Sequence, residues 1–447
     1  MIKIYDTMTR SLRDFVPLTE NVVNMYICGP TVYNYIHIGN ARSAVAFDTI
    51  RRYFEYCGYT VNYISNFTDV DDKIIKAANE AGISTKELSD KFIAAFMEDT
   101  GQLGIKPATQ NPRVINYMDE IIAFVSTLID KGFAYVAEGD VYFRVAKSKN
   151  YAKLANKTLE DLEIGASGRT DAETDRKENP LDFALWKAAK EGEISWESPW
   201  VPGRPGWHIE CSVMATEILG NTIDIHGGGA DLEFPHHTNE IAQSEAKTGK
   251  TFANYWMHNG FVNVDNEKMS KSLGNFVTVH DMLKTVDGQV LRFFLATQQY
   301  RKPINFTEKA IHDAEVNLKY LKNTHSLPLT DQVNQDELQT YLDAFQVAMD
   351  DDFNTANGVT VLFDMAKWIN SGNYDETVKD AFEKMLQVFG IVFEEEVLDE
   401  DIEKLIEERQ AALANKDFAT ADRIRDELAA QGIKLLDTRE GVRWTRD

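Results

Sequence analysis

The stretch Ile225-His226-Gly227-Gly228-Gly229-Ala230-Asp231-Leu232-Glu233-Phe234-Pro235-His236-His237-Thr238-Asn239-Glu240 limits what this chain can fold into more than any other. Ile223 to His226 reads as a buried strand. The three glycines after it let the backbone come close to something flat or anionic, and Pro235 is preset to begin a helix. A helix from Pro235 puts His236 and Glu240 one turn apart on one face. The same face leaves His237 open as an alternative, because it reaches Glu240 at i,i+3. Upstream, Gly206-Trp207-His208-Ile209-Glu210-Cys211 and Tyr26-Ile27-Cys28-Gly29-Pro30 each supply a thiol, in a chain with three cysteines in all. Two cysteines, a histidine and a glutamate make a four-ligand set suited to Zn²⁺.

From the N-terminal end, Asn24 to Cys28 reads as a strand, Ala41 to Tyr56 as a helix with apolar residues at helical spacing, and Thr60 to Asn66 as an alternating strand. The turn His37-Ile38-Gly39-Asn40 precedes that helix, which is where an open parallel sheet binds a nucleotide. Thr68-Asp69-Val70-Asp71-Asp72-Lys73 opens a further helix with carboxylates at the positive end of its dipole. Helices follow over about 85–103 and 115–131. Between 132 and 205 the texture changes to short strands and a polar run, which reads as an insertion interrupting the sheet. Lys268-Met269-Ser270-Lys271-Ser272 forms a mobile cationic loop able to wrap phosphates. The pattern is helical over 307–393. The tail, 394–447, has two amphipathic helices and ends in a small two-strand unit bearing arginines.

A net charge of −24 and a pI near 4.8 run against a polyanionic partner. Binding needs only a local basic face, and the two-strand ending over 433–447, near neutral in balance, is the least acidic place for RNA to dock. No apolar run reaches the roughly 18 residues of a membrane span. Met1 to Arg13 lacks an apolar segment, so no secretory signal is expected. Three widely spaced cysteines point to a reducing compartment rather than a disulfide framework. The expectation is a cytoplasmic protein with no membrane contact. A monomer is the default, since no long exposed heptad or self-complementary stripe is evident.

His37-Ile38-Gly39-Asn40 and Lys268-Met269-Ser270-Lys271-Ser272 resemble the HIGH and KMSKS signatures of class I aminoacyl-tRNA synthetases. Cys28-Gly29-Pro30-Thr31-Val32-Tyr33, Gly206 to Ser212, His226 to Leu232, and Phe234-Pro235-His236-His237 with Asn239-Glu240 resemble the cysteinyl branch of that class, so the likeness runs over essentially the whole chain. The resemblance implies a Rossmann-like parallel-sheet catalytic domain over 1–306 with its insertion. A helical bundle over 307–393 and a small mixed α/β anticodon-binding domain over 394–447 follow. It implies activation of L-cysteine by ATP, with Mg²⁺, to cysteinyl-adenylate, and transfer to the 3′ end of tRNA(Cys). His37 and Lys271 take the catalytic roles, and His37, Asn40, Lys268 and Lys271 hold ATP. Cys28, Cys211, His236 and Glu240 match the family's zinc ligands, with family position favouring His236 over His237. Asp231 holds the substrate ammonium, while Thr68 and Trp207 wall the small side chain. His208 and His226 stand behind the ligands or beside the nucleotide. Arg439, Arg443, Trp444 and Arg446 are candidates for reading the anticodon. The family's first signature usually ends in histidine; Asn40 keeps a donor but can never carry charge.

Each ligand also has a plainer reading. Cys28 and Cys211 suit buried core thiols, His236 a helix-start residue, Glu240 a solvated face and Trp207 a core aromatic. Three other functions use parts of the pattern. A zinc hydrolase with Glu233 or His237 as base leaves the lysine loop unexplained. An RNA-binding protein with a structural zinc leaves both ATP signatures unexplained. A ligase joining activated cysteine to a small amine does not require the helical region and tail.

Overall fold

Strand Val22–Ile27 is buried along most of its length and pairs in parallel with Thr60–Ser65 on one side and Ile223–Gly229 on the other. Ala253–Asn259 completes a four-stranded parallel sheet beside Ile223–Gly229. Parallel neighbours need a crossover, and helix Ile38–Tyr56 supplies the first one, between Val22–Ile27 and Thr60–Ser65. This is the Rossmann-like architecture expected from the sequence. The computed structural model describes residues 1–166, 176–269, 274–331, 333–393, 400–438 and 441–446. Lys271 and Arg439 lie outside the described residues, as do the side chains of Arg443 and Arg446.

The three glycines do not end their strand as the sequence reading has it; the strand continues through Gly229. Packing gives the reason. A Cβ at Gly227 would sit 2.6 Å from the Phe47 ring of the crossover helix, and one at Gly228 would sit 2.8 Å from Leu232. The helix after them also starts later than Pro235. A short 3₁₀ turn, Ala230–Leu232, leads into an irregular turn over Glu233–His237 with Phe234 extended and a cis Phe234-Pro235 bond. The regular helix is Thr238–Thr248.

The region 132–205 carries a separate antiparallel sheet of Ala134–Ala137, Asp140–Phe143, Phe183–Ala188 and Gly203–Pro205. It is packed into the main core, where Phe143, Leu185 and Trp186 share one apolar cluster with Tyr26, Cys211 and Trp256. The last strand runs directly into helix Ile209–Leu219.

Helices Glu308–His325, Gln335–Asp350, Thr355–Asn370 and Glu376–Val388 follow. The crossover helix is tied to this part by charge: buried Arg292 places Nη2 2.7 Å from Asp48 Oδ2 and donates from Nε to the Phe389 carbonyl at 2.8 Å. Met1–Val392 forms one compact unit and Phe393–Asp447 a second. Within the second, helices Glu400–Ala414 and Phe418–Ala430 and the hairpin Ile433–Thr438 with Gly441–Arg446 enclose a small core of Ile402, Ile424, Leu428 and Ile433. No helix among the described residues is long and apolar enough to cross a membrane.

Candidate active site

The C-terminal ends of the parallel strands gather the functional side chains, as open α/β sheets dictate. Cys28 follows strand Val22–Ile27, and its amide donates to the Gly227 carbonyl of the neighbouring strand at 3.2 Å. Cys211 lies in the first turn of helix Ile209–Leu219, and Glu240 in the first turn of Thr238–Thr248. Cys28 Sγ is 3.6 Å from Cys211 Sγ and 3.4 Å from Glu240 Oε1, and Glu240 Oε1 is 3.1 Å from His236 Nε2. One ligand atom from each of Cys28, Cys211, His236 and Glu240 lies within 4.8 Å of the others.

Electrostatics suits a cation here. Burial alone would push the Glu240 carboxyl up, but His226 and His236 beside it bring it down to about 2. The Cys28 thiol next to Cys211 draws Cys211 down to about 6. Burial works against a charged His236, yet Glu240 and Cys211 raise it to about 10. The Glu240 carboxylate and the Cys211 thiol, drawn toward its anion, thus stand in a largely buried cluster beside the Cys28 thiol, which burial and Cys211 push well above its ordinary value. A borderline-soft metal ion is what such a set of sulfur, nitrogen and oxygen donors binds. A second set, Cys28, His226, His237 and Glu240, shares two of the donors. Its histidines are engaged from behind: His226 Nε2 is 2.6 Å from Glu240 Oε2, and His237 Nδ1 is 2.7 Å from His258 Nε2. The fully buried His237 and His258 are pushed down by burial, His258 to about 3, so both are neutral near pH 7.

His37 and Asn40 form a reciprocal cap on the crossover helix: the Asn40 amide donates to His37 Nδ1, and the His37 amide donates to Asn40 Oδ1, each at 3.2 Å. Capping and ATP binding are thus compatible uses of His37, because a ring that accepts at Nδ1 carries its proton on Nε2. Gly39 is required at its position, since a Cβ there would meet the His37 ring at 2.9 Å and would lie 3.6 Å from Met269 Cε. A bridge between His37 and Thr278 and the Ile38 amide donating to the Val277 carbonyl at 3.2 Å join the first signature turn to the segment that follows the lysine signature. Lys268 is exposed beside them, its Nζ 5.5 Å from the centre of the Phe261 ring.

Thr68 is buried, and its hydroxyl donates to Glu210 Oε2 at 3.1 Å. Trp207 is exposed, with its ring 4.4 Å from that of His236. Asp231 is exposed, and its Oδ1 lies over Gly229, 2.4 Å from where a Cβ would stand. His208 Nδ1 backs His236 Nδ1 at 2.9 Å. Sequence reasoning missed His258, Asn66 and Glu210. His258 stands next to the end of a parallel strand, and strand-end position is the signal that finds it. Asn66 Oδ1 accepts from the Gly29 amide at 3.0 Å, and its Nδ2 donates to Thr68 Oγ1 at 3.2 Å, holding the turn after Cys28 against the Thr68 turn.

Residues 14–316 match the family profile described as the class I (C) tRNA synthetase catalytic domain, 344–394 a DALR domain, and 395–444 a cysteinyl-tRNA ligase anticodon binding domain. A cysteine–tRNA ligase of Streptococcus thermophilus (strain CNRZ 1066) is 95% identical over 447 residues, covering 100% of both chains. The chain belongs to the cysteine–tRNA ligase family. Another member, from Streptococcus agalactiae serotype V, is 81% identical over the full length of both chains. The class I fold of the family is visible at much greater distance. A methionyl-tRNA synthetase of Mycobacterium tuberculosis in complex with methionyl-adenylate superposes with a TM-score of 0.60 at 15% identity, covering 82% of this chain and 89% of that one.

Proposed function

We propose that this chain activates L-cysteine with ATP and transfers it to tRNA(Cys). The observation that carries the reading is one of place. The first signature turn is joined through His37 to Thr278, a few residues past the lysine signature, while the donor cluster begins at Cys28, directly after the strand that precedes that turn.

In the first step a carboxylate oxygen of cysteine attacks the α-phosphorus of ATP, and pyrophosphate leaves with its Mg²⁺. No protein nucleophile is needed; the barrier falls through positioning and through stabilising charge on the phosphates. His37 donates from Nε2, Asn40 from its side-chain Nδ2, and Lys268 and Lys271 close over the phosphates from the loop. Asp231 holds the substrate ammonium, with Thr68 and Trp207 as walls. In the second step a hydroxyl of the terminal ribose attacks the carbonyl carbon, and AMP leaves.

Cys28, Cys211, His236 and Glu240 hold Zn²⁺, which when bound prefers a soft sulfur ligand to a hard hydroxyl and so separates cysteine from serine. His226, His208 and the His237–His258 pair orient these ligands from behind. Residues 307–393 and 394–447 serve the tRNA, with Trp444 and the arginines at 439, 443 and 446 in the anticodon-reading tail. Cysteine-dependent ATP–pyrophosphate exchange, followed by charging of tRNA with the full chain and with a chain ending at Glu394, tests this. A hydrolase or an RNA-binding protein shows no exchange, and a small-amine ligase shows exchange without charging.

A further inference from the structure

The region 132–205 has no part in the chemistry above, yet its last strand enters the amino-acid site. Strand Gly203–Pro205 pairs with Phe183–Ala188 through Lys187↔Arg204 and Trp186↔Pro205. It is set tightly: a Cβ at Gly203 would lie 2.2 Å from the Lys187 carbonyl oxygen, and one at Gly206 would lie 2.0 Å from that of Ala184. Trp207, Glu210 and Cys211 follow at once. The side chain of Arg204 is only 7% exposed and reaches away from its own sheet to Asp72, where Nη2 contacts Oδ1. Glu193 Oε2 stands 3.7 Å behind its Nε, and Lys187 Nζ is 3.9 Å from the other Asp72 oxygen.

Asp72 is the first residue of helix Asp72–Ala81, which Asp71 caps by accepting from the Lys73 amide. The turn before it carries Thr68. Two ties therefore join the same two chain segments, 68–72 and 204–211. Thr68 with Glu210 is the buried one, and Arg204 with Asp72, whose carboxylate side is 63% exposed, is the one at the rim. Asp69 between them is fixed from the other side, by Arg113 Nε at 2.8 Å and the Ile115 amide at 3.1 Å. Trp207 stands between the ends of the two ties on the second segment.

We infer that the Arg204–Asp72 pair is a rim latch that holds the Trp207 wall at a set distance from the Thr68 wall, and that the inserted sheet is the arm that delivers it. This rests on the functional reading above, in which those walls enclose cysteine. The Arg204 guanidinium meets one Asp72 oxygen through Nη2 while Lys187 Nζ stands 3.9 Å from the other, so the carboxylate is held from two sides. Arg204 and Asp72 are positioning residues: neither touches the substrate, and both act through the walls.

The test is a double-mutant cycle in the full-length zinc-loaded protein, using Arg204→Gln, Asp72→Asn and the pair, read by cysteine-dependent pyrophosphate exchange. Each single variant is expected to raise KM for cysteine about tenfold, with kcat and KM for ATP within about twofold, the pattern of lost ground-state binding. The double variant is expected to be no worse than either single, and Asp72→Glu to recover most of the loss. Asp72→Asn alters only the exposed end, so it remains informative if Arg204→Gln fails to fold. An unchanged KM for cysteine in folded Asp72→Asn overturns the latch, as do losses that simply add or a KM for ATP that rises in step. A wild-type protein without cysteine-dependent exchange overturns the functional reading and the latch with it, whereas an active wild type with unaffected variants overturns the latch alone.

Discussion

Glu240 gives its two carboxylate oxygens to different histidines: Oε2 lies 2.6 Å from His226 Nε2, and Oε1 lies 3.1 Å from His236 Nε2. The first contact aims the second oxygen at Cys28 and His236, so His226 holds the carboxylate of a candidate ligand in place. His226→Asn is expected to weaken zinc binding by about 10- to 100-fold, the usual cost of losing a partner behind a metal ligand. Competition against a chelator of known affinity measures this. An unchanged zinc affinity would remove His226 from that role.

The lysine loop should govern adenylation rather than amino-acid choice. Lys271→Ala is expected to cut cysteine-dependent pyrophosphate exchange by roughly 100-fold or more, the scale of one strong transition-state contact. Asn40→His should be tolerated, since the cap needs a side-chain acceptor at that position and imidazole supplies one. Exchange near the wild-type rate in Lys271→Ala would end the assignment.

The parallel sheet and the glycine-bearing turn before its first helix were legible in the sequence because strand and helix periodicity and turn chemistry are written in neighbouring residues. Cys28 and Cys211, 183 residues apart, entered the candidate donor set through residue type and family resemblance rather than spacing. Helical spacing brings both His236 and His237 within reach of Glu240, and a glycine turn before an amphipathic helix marks the nucleotide end of the sheet. What was not legible depends on partners brought together from far apart. His258 acquires its role from Thr7 Oγ1, 2.8 Å from its Nδ1 but 251 residues away in sequence. Glu210 is matched to Thr68 across 142 residues. Gly227 and Gly228 read as a place for close backbone approach beyond a strand ending at His226; here they remain in the strand, and Phe47 and Leu232 fill the space a side chain would need. The cis bond at Pro235 likewise has no local spelling that separates it from a helix start.

His258 should make the protein sensitive to acid. Burial lowers it to about 3, against an ordinary value near 6.5 when unfolded, so between those values the unfolded chain binds the extra proton. Its contribution is intact above about pH 6.5 and is lost as pH falls toward 3. One such proton removes about 2 kcal/mol between pH 7 and pH 5. Urea unfolding at both pH values should show His258→Gln losing less stability than wild type by about that amount. Equal losses in the two proteins would show that His258 is not held neutral.

The buried pair of Arg292 and Asp48 should matter more than any surface pair. Arg292→Leu leaves the Asp48 carboxylate, 2% exposed, with Arg52 Nε at 2.8 Å but without its fully buried partner. Such a loss costs about 3–5 kcal/mol. Lys309→Ala, which breaks an exposed i,i+4 pair with Asp313, should cost under about 1 kcal/mol. Chemical denaturation midpoints of the two variants measure the contrast, and equal midpoints would contradict it.

Selection of sulfur beside an ATP-binding turn is the centre of this account, and pyrophosphate exchange by the purified zinc-loaded protein, with cysteine and then serine at equal concentration, tests it most directly. The expected result is exchange with cysteine that exceeds serine by more than about 100-fold, beyond what an apolar pocket gives near-isosteres. Exchange with serine at a comparable rate, or no exchange with cysteine, would contradict it.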